Sequence, residues 1–288
     1  MTPPARGAVD YWCNAFTPDR APLWQASVAG QGVPLRLVGD AADGFAEPVA
    51  MLARMDLLGV AALLLPVCEL APHAGVRDFE TFAARPAEIA GLWKRAPGRF
   101  AGLFSFDPRA GTAGLRAAAA ALGEPWCVGL HLHTHSFDRA LDHAEQYPYY
   151  ALAAERGVPV VMQAGTSGGL LPSACGRPVG IDRPALYFPE ARFVLSHLGW
   201  PWVDEALAMA LKFPNVFLGS ATWPPRRWPE SVVAFARGAG RAKLLLGTGF
   251  PLVSQRAALA QLAEIGLEPE LRAEIAGGNA RRVFAGIA

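Results

Sequence analysis

The chain has 288 residues, with 26 Lys and Arg against 25 Asp and Glu, so a formal charge of +1 gives no electrostatic pull toward nucleic acid or an anionic membrane. Charged residues make up 18% and hydrophobic ones 52%, enough apolar surface at this length for a large core. The longest apolar run, 57–68, spans 12 residues and holds Gly59 and Pro66, too short for the roughly 20 residues of a membrane span. The opening residues lack the apolar stretch of a secretory signal, and Cys13, Cys68, Cys127 and Cys175 form no C-x-x-C pair. A reduced, cytoplasmic setting is expected, with a small-molecule substrate as partner, no nucleic acid, no membrane, and self-association as an open possibility.

Short apolar runs alternate with longer helical stretches along the chain, the pattern of a parallel sheet with helical crossovers. In order, strands are predicted over 8–15 and 60–67, then a helix over 79–94 on the spacing of Phe79, Phe82, Ile89 and Trp93. A strand over 100–106 precedes a helix over 114–122, and one over 127–133 precedes a helix over 140–156. Strands over 159–164 and 192–196, a helix over 203–213, a strand over 215–220, a helix over 230–239 and a strand over 243–247 complete the series. The runs are almost continuously apolar, as strands are when lumen and helices bury both faces. No G-x-G-x-x-G opens the first helix, and the length is near the roughly 250 residues of a closed barrel. The prediction is a single α/β domain over 1–288, a (β/α)8 TIM barrel. The Gly- and Pro-bearing segments 21–43 and 165–184 become long connections on its C-terminal face, where such barrels place their active sites.

The strand ends carry Val9-Asp10 followed by Pro18, Phe106-Asp107-Pro108, and Gly129-Leu130-His131-Leu132-His133. Further along come Phe188-Pro189, Leu195-Ser196-His197-Leu198-Gly199-Trp200-Pro201-Trp202 and Phe213-Pro214-Asn215-Val216. Leu245-Leu246-Gly247-Thr248-Gly249-Phe250-Pro251 and Gly278-Asn279-Ala280-Arg281-Arg282-Val283-Phe284 close the series. In this order the landmarks resemble the amidohydrolase superfamily, in its amidohydrolase-2 or aminocarboxymuconate-semialdehyde decarboxylase-like branch. The resemblance implies a divalent metal held by an H-x-H pair on strand one, a His ending strand five, a His ending strand six and an Asp ending strand eight. In this chain those positions are Trp12 and Asn14, Gln163, His197 and Gly249, so only His197 keeps its type. Indole and glycine offer no ligand, and the two amides are neutral oxygen donors, so the usual metal site is expected to be lost. Trp12 is expected in the lumen, on the side of strand one shared with Asp10 and Asn14, where its bulk would fill the ion's volume. Cys13, on the other side, is expected to face the helices.

What remains is an imidazole cluster. His131, His133 and His135 alternate over five residues and project to one face of an extended strand, with His197 entering from strand six. Crowding would leave one imidazole neutral as base beside a cationic acid near neutral pH. On this reading His131 and His133 transfer protons, with His197 as a second acid/base group or hydrogen-bond donor. Asn14, Gln163 and His135 orient substrate or water. Trp12, Trp200, Trp202 and Trp223, with Trp228 and Phe250, form a flat aromatic wall, and Arg226 clamps a substrate carboxylate. The expected function is a metal-independent hydrolase or lyase, by lactone hydrolysis, decarboxylation or related acid/base chemistry on a small carboxylated aromatic or conjugated molecule, without a cofactor. Two alternatives stand beside it: zinc relocated to His131, His133 and His197, and a non-catalytic barrel that binds a metabolite or a partner.

Overall fold

The computed structural model describes residues 7–29, 36–40, 42–67 and 84–287. Eight strands pair in parallel and in sequence order: β1 (Ala8–Asp10), β2 (Val60–Pro66), β3 (Phe100–Ser105), β4 (Cys127–Leu132), β5 (Pro159–Gln163), β6 (Arg192–Ser196), β7 (Val216–Gly219) and β8 (Leu244–Leu245). The ring closes just past the ends of β1 and β8. There the Tyr11 N–H donates to the Leu246 carbonyl at 3.2 Å, the Gly249 N–H donates to the Trp12 carbonyl at 2.8 Å, and Cys13 bridges Phe250 in parallel. The fold is a (β/α)8 TIM barrel.

Around the sheet run α1 (Ala21–Ala29), α2 (Pro48–Leu58), α3 (Pro86–Arg95), α4 (Gly111–Ala121), α5 (Thr134–Phe137) and α6 (Tyr147–Arg156). They are followed by α7 (Asp182–Tyr187), α8 (Val203–Lys212), α9 (Glu230–Arg237), α10 (Gln255–Glu264), α11 (Pro269–Ala273) and α12 (Asn279–Val283). Proline sets several starts: Pro86 opens α3 after the non-helical residues 84 and 85, and Pro148 sits in the first turn of α6, which begins later than the predicted 140. Residues 79–83 of the predicted helix lie outside the described residues. Helix α1 lies inside the segment read as a loop.

Alternate strand residues serve two apolar layers. Val161 and Val194 join Val9, Leu64, Leu103 and Leu245 in the lumen, while Met162 and Leu195 pack outward against residues such as Ala206 of α8. That double burial is why the runs show no polar face, and each fully buried aliphatic side chain stabilises the fold by about 1.5–3 kcal/mol.

The first strand departs from its predicted 8–15 for a steric reason. Tyr11 and Trp12 both belong to the lumenal layer, so side-chain alternation breaks where β1 ends, at Asp10. The Tyr11 ring occupies space left by Gly219 and Gly247, where any Cβ would strike it. Its hydroxyl meets Ser196 Oγ at 2.7 Å and accepts the Ala221 N–H at 3.3 Å. Asp10 does not share Trp12's side. Its carboxylate accepts from Thr248 N–H (2.8 Å), Thr248 Oγ1 (2.6 Å), Gln255 Nε2 at the start of α10 (2.9 Å) and the Trp12 N–H (3.3 Å). Burial pushes the carboxyl up to about 6, against the pull of those four donors. Cys13 packs outward with Met51, Met55 and Phe250, as expected from its position.

Candidate active site

Four of the six histidines gather at the C-terminal mouth of the barrel. Strand β4 ends at Leu132, and the chain turns at once into α5, so His133 caps that turn and His135 lies inside it. The extended face predicted for His131, His133 and His135 therefore does not form, because the backbone leaves the strand before His133. The three rings still meet: His131 and His133 centroids are 6.3 Å apart, and His133 and His135 are 5.8 Å apart. The Thr134 hydroxyl donates to the Gln163 carbonyl at 3.0 Å and ties the turn to the end of β5.

The fixed partners determine which nitrogen of each neutral ring carries its proton. His131 Nδ1 lies 3.1 Å from the Val67 carbonyl, which can only accept, so Nδ1 donates and Nε2 is a bare lone pair, buried without a partner. His133 is the reverse. Its Nδ1 accepts the Ser136 N–H at 3.2 Å and lies 2.6 Å from Ser136 Oγ, which leaves the proton on Nε2. His135 Nε2 donates to the Gly165 carbonyl at 2.8 Å and its Nδ1 has no partner. His197 sits at φ 60°, and its buried Nδ1 is also unpartnered.

Burial drives all four imidazoles toward neutrality. His131 is pushed down to about 4 by burial, and His197 to about 3 by burial together with the neighbouring His135 and His131. His133 lies well below its ordinary value through burial and its three imidazole neighbours, and His135 is lowered by burial. The expected cationic acid beside a neutral base is thus replaced by neutral rings near pH 7. In this pocket His133 presents an Nε2–H and His131 a bare Nε2.

Trp12 is in the lumen, with its ring centroid 4.9 Å from His131 and 5.2 Å from His197. Trp200 and Trp223 lie side by side on the rim, centroids 5.1 Å apart and planes 33° apart, with Trp200 43% exposed. Gln163 ends β5 and is buried. Other expected site residues are engaged elsewhere. The Asn14 amide donates to the Phe250 carbonyl at 2.6 Å as part of the barrel's closure. Arg177, paired with Glu205, covers the face of Trp202 at 5.3 Å. Phe250 is fully buried in the outer layer against Phe45, and Trp228 is buried with its Nε1 donating to the Trp223 carbonyl at 2.9 Å. Arg226 does not clamp a substrate from this position: its guanidinium pairs with Glu264 of α10 at 3.1 Å, on the exposed flank. His135 latches the connection after β5 through Gly165 and does not extend freely toward a ligand. Ser136 and the Val67 carbonyl, which set the two proton positions, were not foreseen. A serine three residues after a histidine at a strand end is a usable signal, whereas a backbone carbonyl leaves none.

The fold and this mouth define a TIM barrel of the amidohydrolase type. The sequence profile of the amidohydrolase family (Amidohydro_2) matches residues 11–286, and the chain belongs to that family. No curated protein matches it. Among solved structures, an uncharacterised TIM-barrel protein from Bordetella bronchiseptica is similar at 20% identity and TM-score 0.75, covering 96% of this chain and 97% of that one. The 5-carboxyvanillate decarboxylase of Sphingomonas paucimobilis is similar at 19% identity and TM-score 0.62, covering 97% and 99%. The 5-carboxyvanillate decarboxylase of Novosphingobium aromaticivorans, solved with bound manganese, is similar at 14% identity and TM-score 0.68, covering 97% of each chain.

The residues at the family's ligand positions do not fit such an ion. Trp12 places an indole against His197, the one imidazole kept there, and Asn14 spends its amide nitrogen on Phe250. Gly249 has φ 61°, and a Cβ there would strike Thr222, so the strand-eight turn has no room for a carboxylate. Among the described residues, no three His, Cys, Asp or Glu side chains group as a metal site, His131, His133 and His197 included.

Proposed function

We propose that the chain is a lyase or hydrolase that uses neutral imidazoles, without a resident metal, to act on a small carboxylated aromatic or conjugated molecule, with decarboxylation as its leading reaction. The opposite proton placement at His131 and His133 carries this reading, because it sets a base and a hydrogen-bond donor side by side. Aromatic acids are the substrates of the decarboxylases whose folds this chain shares. On a hydroxylated aromatic acid, His131 Nε2 takes the phenolic proton and returns it to the carbon that bears the carboxylate. The carbon–carboxylate bond then breaks, CO2 leaves, and its electron pair restores the ring as a phenolate, which takes a proton from solvent. His133 Nε2–H donates to the oxygen where charge builds up, a role open to a neutral imidazole. The same pair would serve lactone opening, with His131 taking its proton from water. The rim pair Trp200 and Trp223 offers the face on which a flat ring stacks.

The test is CO2 release from 2,6-dihydroxybenzoate and 5-carboxyvanillate by protein stripped with chelator. Activity that survives stripping and falls by about 100-fold in His131→Asn supports the reading. Turnover that needs added manganese would overturn its metal-free part. Binding without turnover would favour the non-catalytic barrel, which the unfit ligand positions also suit.

A further inference from the structure

His133 is governed by a residue on its own turn. Ser136 is 1% exposed, and both its backbone N–H and its hydroxyl address the same imidazole nitrogen, Nδ1 of His133, at 3.2 and 2.6 Å. That N–H can only donate, and it is shared between Nδ1 and the His133 carbonyl at 3.1 Å; with Nδ1 presenting its lone pair, the hydroxyl hydrogen turns to the same target. A proton on Nδ1 would face that N–H, so the ring's single proton is left on Nε2.

We propose that Ser136 is a positioning residue for His133, fixing by its paired N–H and O–H donors both the ring's orientation and the nitrogen that carries its proton. The proposal rests on the reading of His133 as the donor to substrate, which it deepens. The N–H sets the sense of the choice, and the shorter hydroxyl bond supplies most of its strength. Without it the longer N–H contact alone would hold the ring, and the other proton placement becomes accessible. The turn itself has independent supports, the Thr134 hydroxyl on the Gln163 carbonyl and the Arg139 N–H on the Thr134 carbonyl, so removing one hydroxyl leaves the backbone in place.

The experiment is 15N NMR of the imidazole nitrogens at pH 7 in the full-length protein, compared across wild type, Ser136→Ala and Ser136→Thr. Wild type is expected to show a bare Nδ1 and a protonated Nε2 at His133. Ser136→Ala should mix the two placements and lower kcat about ten-fold with little change in KM, and Ser136→Thr should restore both. A wild-type ring protonated on Nδ1, or an unaltered His133 spectrum in Ser136→Ala, would overturn the proposal, and the wild-type measurement stands even if a variant fails to fold. Should the proton placement follow Ser136 while His133→Asn leaves turnover intact, the positioning role stands and the catalytic reading falls.

Discussion

The Trp12 indole stands almost perpendicular to the His131 imidazole, at 85° with centroids 4.9 Å apart, so an apolar ring occupies the mouth where the family resemblance implies an ion. The ring beside it is fully buried, and that desolvation is what lowers His131 to about 4.

Trp12 is therefore expected to be a stability residue as well as a wall of the site. Trp12→Ala should destabilise the fold by about 3–5 kcal/mol through the cavity it leaves, read as a lowered urea midpoint with unchanged slope. A loss below about 1 kcal/mol would mean that the indole is not packed as described. The double variant Trp12→His with Asn14→His restores two imidazoles but no carboxylate. Elemental analysis after exposure to manganese should still find less than about a tenth of an equivalent.

Acid should weaken the fold. His131 and His197 titrate at about 4 and about 3 in the folded chain, against ~6.5 when unfolded, so below pH 6.5 the unfolded chain takes up protons that the pocket refuses. Stability present above pH 6.5 is lost as the pH falls toward 4, on the order of 3 kcal/mol for His131 alone. His133 and His135 act in the same direction. Asp10 opposes them: its carboxyl, raised to about 6, is protonated in the folded chain before the unfolded one, so it regains stability as the pH falls from 6 toward 4. One carboxyl does not offset four imidazoles. The urea midpoint should fall between pH 6.5 and 4.5, and less steeply in His131→Asn; a midpoint that rises over that range would refute the neutral pocket.

The carboxylate at the seam can be tested by charge and by shape. Asp10→Ala strands the Thr248 and Gln255 donors and should cost about 3 kcal/mol. Asp10→Asn keeps an acceptor for Thr248, lets the Gln255 amide reverse, and removes the buried charge, so its loss should be less than half as large by thermal unfolding at pH 7.5. Equal losses would show that the charge, and not the hydrogen-bonded shape, is what the seam requires.

Gly176 is tied to the mouth. A Cβ there would lie 2.5 Å from His135 Nε2 and would also strike the Gly165 carbonyl, the two groups that hold the connection after β5. Gly176→Ala should cost about 1–3 kcal/mol and break the His135 latch, seen as faster amide exchange around Gly165. Protection equal to wild type would show that the latch is elsewhere.

The barrel was legible because each strand is apolar on both faces, and that alone separates 60–67 or 159–164 from the helices around them. Helix ends were less legible: tertiary packing and Pro86 decided where α3 starts. At the site, the chain order of His131, His133 and His135 was informative, but the period-2 reading failed because β4 stops at Leu132. Arg226, Trp202 and Phe250 looked free in one dimension and are claimed by Glu264, Arg177 and Phe45 in three. The parts that set each ring's proton were least legible, since one is a backbone carbonyl.

The turn at Gly249 also sets a limit on redesign. A side chain grafted there alone would meet both a left-handed backbone and the methyl and main chain of Thr222, so an acidic residue at this strand end would call for remodelling of the loop at residue 222 in the same step.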